Sequence, residues 1–298
     1  MNREGKLSLK EIQDSVLKEI KKTRKEVTVG AGLGIDCAII KSNGYISVTV
    51  DPITAAENDI GLLSVLISSN DTYSAGAEPV AMTVTLLMPI NSSTKAINSI
   101  MKDIVREATK QNIEVIGGHT EFTSSVTRPI TCVSMLGKIN KSKPNKIKNG
   151  DSIIVTKSLG IEGTVILSNR IRLTDKDKKE LSTLKNQLSI REEALIANKY
   201  NAAMHDITEG GIVEALSEAL VASNLGCEVN LTGVIINPLT RKICDKLNLD
   251  VFRLISSGSL LIFTNKEKEI LKGLKKKHID ATVIGKVNKS HSIKMIEK

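Results

Sequence analysis

Five short motifs in this 298-residue chain carry side chains that could do chemistry. They are Gly34-Ile35-Asp36, Val50-Asp51-Pro52, Asn70-Asp71, Gly117-Gly118-His119-Thr120-Glu121 and His205-Asp206. Carboxylates beside glycines suit a hard cation, because Mg²⁺ takes oxygen ligands and bridges to phosphates. A Gly-Gly pair lets backbone N–H groups approach a phosphate that a side chain would keep away. Each motif also has a plain structural reading. An Asp at a strand end forms turns, and Asp206, before Thr208-Glu209-Gly210-Gly211, could cap a helix. Asp71 is the sharpest candidate, since an unpaired carboxylate in an apolar helical segment is costly. His119 and His205 stand beside such turns as candidate ligands or acid–base groups.

Other chemistries lack their motifs. Gly30-Ala31-Gly32-Leu33-Gly34 resembles a dinucleotide fingerprint, but no strand is expected before it and the third glycine is misplaced. There is no GxxxxGK[ST] phosphate loop and no GxSxG elbow. Cys37, Cys132, Cys227 and Cys244 form no CxxC pair, which argues against a zinc ribbon or disulfide framework and for a reducing cytoplasm. Cys37 and Cys132 read as small buried hydrophobes. The net charge of +9 gathers in Lys141–Lys148 and Lys266–His278. With three Phe, three Tyr and no reader motif, these read as solvated faces, and nucleic-acid binding is not expected. No apolar run reaches the roughly 18 residues of a membrane span, and the first residues lack the apolar stretch of a signal peptide.

These side chains need a framework to position them. A hydrophobic fraction of 41% is enough for a core. Apolar spacing predicts helices over Leu7–Lys22, from Asp59 toward Ala77, and over Asn91–Gln111. Strands are expected at Tyr45–Val50, Val80–Met88, Ile113–Ile116 and Ile130–Leu136, the third leading into the Gly117-Gly118 motif. The polar, Lys-rich Gly137–Gly150 is the natural boundary. Beyond it, strands are expected at Asp151–Thr156, Met204–Asp206, Cys227–Leu231, Ser259–Phe263 and, closing the chain, Ala281–Lys286. Helices are expected at Gly160–Thr164 and onward, Arg191–Tyr200, Gly210–Ser223, Asn237–Leu247 and Lys266–Lys277. The reading is therefore α+β in two domains, 1–148 and 149–298.

Taken in order, the motifs resemble the AIR synthase-related (PurM-like) superfamily of ATP-binding enzymes, nearest to its HypE-like proteins. The family's GDDCA motif is similar to Gly34-Ile35-Asp36-Cys37-Ala38. Its DIG, ND and A-x-GA-x-P helix is similar to Asp59-Ile60-Gly61, Asn70-Asp71 and Ser74-Ala75-Gly76-Ala77-Glu78-Pro79. Gly117-Gly118-His119-Thr120, Gly160-Ile161-Glu162-Gly163-Thr164 and Asp206-Ile207-Thr208-Glu209-Gly210-Gly211 continue the match.

The resemblance implies an N-terminal half whose strands pair across a homodimer into a barrel, with a C-terminal α/β domain covering the site; the alternating strand Val80–Met88 is the candidate for the edge at that interface. It implies ATP and Mg²⁺, with phosphoryl transfer to an oxygen of an unidentified small molecule. Asp36, Asp51 and Asp71 would hold the metal. Gly34, Asn70, Asp71, Gly117, Gly118 and Thr120 would bind the cofactor, and His119, Glu121 and Asp206 would serve catalysis. The chain departs from the pattern at Ile35, where the family carries an Asp. Its last cysteine is Cys244, so nitrile chemistry on a cysteine tail, as in the HypE proteins, is not expected. A thiamine-monophosphate-kinase-like enzyme and a catalytically silent ATP-binding regulator are the alternatives.

Overall fold

The computed structural model describes residues 9–10, 13, 27–29, 32–35, 37–56 and 58–296. Residues 9, 10 and 13 are helical, and the rest of the expected Leu7–Lys22 helix lies outside the described residues, as does Asp36.

Six strands form the first sheet: β1 (Val27–Val29), β2 (Ala38–Ser42), β3 (Gly44–Ile53), β4 (Glu78–Pro89), β5 (Glu114–Thr123) and β6 (Ile130–Ile139). Their order is β1-β2-β3-β6-β4-β5. All neighbours are antiparallel except β4 and β5. Alternation decides which face is covered. Met82, Val84, Val133 and Met135 point into one core with Val65, Ile104 and Ala108 of helices α1 (Ile60–Ser74) and α2 (Thr94–Lys110).

The second sheet holds β7 (Ser152–Thr156), β8 (Ala203–Asp206), β9 (Gly226–Asn230), β10 (Leu260–Thr264), β11 (Ala281–Asn288) and β12 (Ile293–Ile296). Their order is β12-β9-β11-β7-β10-β8. The central strands β7 (SIIVT) and β10 (LLIFT) are buried at every residue. Such unbroken apolar runs belong to strands covered on both faces. One cover is α6 (Gly211–Ser223), and the other is α5 (Arg191–Lys199) with α8 (Glu267–Lys276). The remaining helices are α3 (Ile161–Leu167), α4 (Asp175–Lys185) and α7 (Pro238–Leu247).

Helix α1 joins the two halves. Thirteen of its fifteen residues are buried, because it has neighbours on every side. Ile60, Leu63, Leu66 and Ile67 pack with Ile161, Val165, Leu184, Leu188 and Ile243 of the second half. Tyr73 enters the core between β10 and α5. Lys185 of α4 pairs with Asp59, at the start of α1, at 2.6 Å. A shared apolar core of this kind fixes the mutual position of the sheets and so the shape of the space between them.

Four expectations are corrected. Gly117-Gly118-His119-Thr120-Glu121 is not a turn after a strand but the middle of β5, paired in register with Thr83–Leu87. A Cβ on Gly118 would lie 2.0 Å from the Val84 carbonyl oxygen, so strand approach accounts for this glycine. A strand, β1, does precede the Gly30–Gly34 run, but it joins an antiparallel hairpin rather than a parallel nucleotide fold. Ala281–Lys286 does not close the chain, since β12 follows it and pairs in parallel with β9. Val80–Met88, the alternating strand expected at an intermolecular edge, lies inside β4 between β6 and β5. Among the described residues the edges of this sheet are β1 and β5. Among the described residues no helix is long and apolar enough to cross a membrane.

Candidate active site between the two sheets

A cavity of about 1040 Å³ opens where the halves meet. Thr49–Ala55 of β3 and its following turn form one wall, and Asp71 projects from α1. Glu162, Arg170, His205, Asp206 and Ser257 come from the second half.

Four of the expected site residues meet there: Asp51, Asp71, Asp206 and Gly34. Asp51 lies in β3 opposite Val133 and is half-buried. Asp71 is also half-buried; its Oδ2 accepts a 2.6 Å hydrogen bond from the Thr49 hydroxyl, which fixes the carboxylate's direction. Beneath it the Cys37 thiol donates to the Asp71 carbonyl at 3.3 Å, so Cys37 is the buried packing residue expected. Asp206 ends β8 opposite Leu260 and is buried. Gly34 also lines the cavity with φ +62°, and a Cβ there would lie 2.6 Å from the Glu218 carbonyl. Only glycine lets this segment lie against α6.

Other expected residues lie elsewhere. Asn70 is fully buried and spans the halves: its amide donates to the Leu188 carbonyl at 2.8 Å, and its oxygen accepts from the Ile190 N–H at 3.0 Å. Both ends of the amide are used in holding the loop before α5, and Asn70 does not line the cavity. Gly117, Gly118, His119, Thr120 and Glu121 sit on exposed β5, away from the cavity wall. His119 Nε2 and Glu121 Oε2, two residues apart on one strand face, lie 3.3 Å from each other. Among the described residues no three Asp, Glu, His or Cys side chains are grouped to hold a metal ion. The third expected ligand, Asp36, is outside them.

The cavity also holds His205, a candidate from the sequence, and charged groups that motif reading passed over. His205 Nε2 is 3.1 Å from Glu218 Oε2, both largely buried. Arg128, from the turn before β6, and Arg170, after α3, bring positive charge from opposite halves. Glu162 is buried, and burial is the main reason its carboxyl is pushed up to about 7; hydrogen bonds from Ser257 oppose the shift, and the charges of Asp51 and Asp206 add to it. Its signal was present in Gly160–Thr164, but nothing local says that Glu162 faces Asp51. Burial and the charge of Asp51 also push the Cys132 thiol up.

The sequence pattern of the AIR synthase related protein N-terminal domain matches residues 34–139, and that of the C-terminal domain matches residues 148–298. A putative hydrogenase expression/formation protein of Methanocaldococcus jannaschii is 28% identical, over 98% of this chain and 91% of its own length. Thiamine-monophosphate kinase of Buchnera aphidicola is 26% identical, over 85% of this chain and 83% of its own. Among solved structures, hydrogenase maturation protein HypE in complex with ATP superposes with a TM-score of 0.68 at 20% identity, covering 95% of this chain and 87% of that one. That likeness is one of fold, two α-covered sheets about a shared cleft. With sequence patterns matched through both halves, the chain belongs to the family of AIR synthase related proteins.

Proposed function

We propose that this chain is an ATP-dependent enzyme that activates an oxygen of a small molecule by phosphoryl transfer. The observation supporting it most is that Asp51 and Asp71 of one half face Glu162, Asp206 and Arg170 of the other across a single cavity. That a relative of the same fold is described as bound to ATP adds to it. Asp51 and Asp71 fit Mg²⁺ as oxygen donors, with Asp36 as the expected third. The ion would neutralise phosphate charge, which is most of what such catalysis needs. In this reading Arg128 and Arg170 draw the phosphates in against the surrounding carboxylates, and Asp206 faces the acceptor.

Asp71→Asn tests the reading. The variant keeps the oxygen that the Thr49 hydroxyl needs but removes a charge. Its affinity for Mg·ATP, by calorimetry, is expected to fall roughly tenfold to a hundredfold, or about 1–3 kcal/mol. Its ligand-free melting temperature should stay near that of the wild type. An unchanged affinity in a folded variant rejects the metal role.

Two other readings have specific support. Asp36-Cys37-Ala38 and the 26% identity to a thiamine-monophosphate kinase favour that activity, which a kinase assay on thiamine monophosphate decides. Ile35, where the family carries an Asp, favours a regulator that binds ATP without turning it over.

The proposal includes a homodimer. β5 is a ten-residue edge strand with Ile116 and Phe122 exposed, an edge that proteins ordinarily cover. A second copy pairing there would also bring Gly117, Gly118, His119, Thr120 and Glu121 to a nucleotide near the interface. Sedimentation at micromolar concentration should give a dimer, and Phe122→Lys should give monomers. A wild-type monomer would remove both the barrel and the role of the β5 residues.

A further inference from the structure

The lysine-rich stretches Lys141–Lys148 and Lys266–His278 have no place in the cavity wall. Each taken alone is a solvated run, but the second sheet joins part of both into one surface. β8 begins with Ala203 opposite Phe263, and β10 ends with Thr264 opposite Ser152, the first residue of β7. The chain before β7, the chain before β8 and the turn after β10 therefore meet at one end of three adjacent strands. They bring there Lys143, Lys146 and Lys148, Lys199 at the end of α5, and Lys266 and Lys268 at the start of α8, all exposed. The surface is tied together from beneath. Lys141 Nζ donates to Asn145 Oδ1 at 3.1 Å and to Asn201 Oδ1 at 2.8 Å, and the Asn145 amide donates to the Ala202 carbonyl at 2.8 Å.

The acids of these segments do not balance the lysines. Asp151 is buried and accepts from the Lys148 N–H at 2.8 Å, and Glu267 accepts from the Ser152 hydroxyl at 2.6 Å. Glu269 is exposed and lies 4.0 Å from Lys266. Asp206 stands at the other end of β8, with Glu162 and Glu209 near it on the cavity wall. The second half thus carries acids around the cavity and lysines one strand length away, roughly 15 Å.

We infer that the lysine end of the second sheet is a docking surface for an acidic protein segment, rich in Asp and Glu, which it holds beside the cavity without covering it. The sign of the charge sets the partner's sign, and the residue type sets its class. All six exposed cations are lysines. Nucleic-acid phosphates are matched best by the planar fork of arginine, and unpaired bases by aromatic rings, of which Tyr200 is the single one in these segments. Ammonium groups on mobile stems instead meet carboxylates at many geometries and speed the encounter with an acidic surface. Docking there requires no bound nucleotide.

Fluorescence anisotropy of a labelled glutamate-rich peptide tests the surface on the full chain. Three proteins are compared: wild type, Lys143→Glu/Lys146→Glu/Lys268→Glu, and Lys272→Glu/Lys275→Glu/Lys276→Glu, which has the same net charge but is altered further along α8. Wild type is expected to bind the peptide, less tightly as salt rises. The first variant should bind at least about tenfold more weakly and the second within about threefold of wild type. Equal losses would mean attraction to net charge alone, and a wild type that ignores the peptide has no such surface; each overturns the inference. So does tighter binding of a DNA duplex of the peptide's net charge, with the loss confined to the first variant, which would make this a nucleic-acid surface. All six altered residues are exposed, so both variants should melt with the wild type. Where glutamate lowers the melting temperature, glutamine at the same positions replaces it, with the same order of affinities expected and equal affinities overturning the inference.

Discussion

Lys157→Met should lose about 3–5 kcal/mol of folding stability, a large part of the 5–15 kcal/mol typical of a domain. Lys157 follows β7, and its ammonium group donates to the carbonyls of Gln187, Ser189 and Gly258 at 2.8, 2.6 and 3.0 Å. It also pairs with Glu193, which is 1% exposed. Burial pulls the lysine's pKa down, and the charge of Glu193 and its hydrogen bond oppose that. Methionine fills the volume but leaves a buried carboxylate and three carbonyls without their donor. Urea denaturation of the variant is the measurement. The double variant Lys157→Met/Glu193→Met should recover part of the loss, because the stranded charge is removed with its partner. A single variant as stable as wild type would show that the loop before α5 is held by Asn70 alone.

Glu162→Gln should make the ligand-free protein more stable at pH 8, on the order of 3 kcal/mol. The sign follows from the direction of the shift. The carboxyl titrates at an ordinary 4.5 in the unfolded chain and at about 7 in the folded one. Below 4.5 both states hold the proton and the group contributes nothing to the difference. Between 4.5 and 7 the unfolded state ionises while the folded state does not, so wild-type stability falls as pH rises; above 7 the whole cost stays. Glutamine cannot ionise, and its stability curve should lack that slope. Chemical denaturation at pH 4.5, 6 and 8 checks it, with the two proteins converging at the lowest pH. A constant difference across the three would locate the effect in packing rather than in charge.

Local signals located most of the elements. Gly76 and Pro79 mark the end of α1, and Gly76 adopts φ +78° there. Asn237 before Pro238 opens α7, accepting from the Leu239 N–H at 2.8 Å. The apolar runs around Ile153 and Leu261 became fully buried strands because nothing polar interrupts them. The reading failed where partners are distant in the chain. Gly117-Gly118 looks like a turn by itself, yet it extends because β4, more than thirty residues earlier, supplies a ladder in parallel. β12 is four residues long and has no pattern of its own; it exists because β9 leaves an edge open.

The same division holds for the candidate site. Residue types and order were enough to single out Asp51, Asp71 and Asp206 as acids worth positioning, since carboxylates at strand ends and in apolar helices are visible one at a time. They could not show that Asn70 and Asp71, neighbours in sequence, part company. Successive helix residues point about 100° apart, so one side chain enters the contact with Leu188 and Ile190 while the other reaches the cavity. Nor could they show that Glu162 would lie beside Asp206 and face Asp51 across the cleft. Carboxylate type and helix entry are local properties, legible residue by residue. The desolvation and repulsion that set the acid's state arise only when the packing of α1 against both halves brings residues more than a hundred positions apart to one wall.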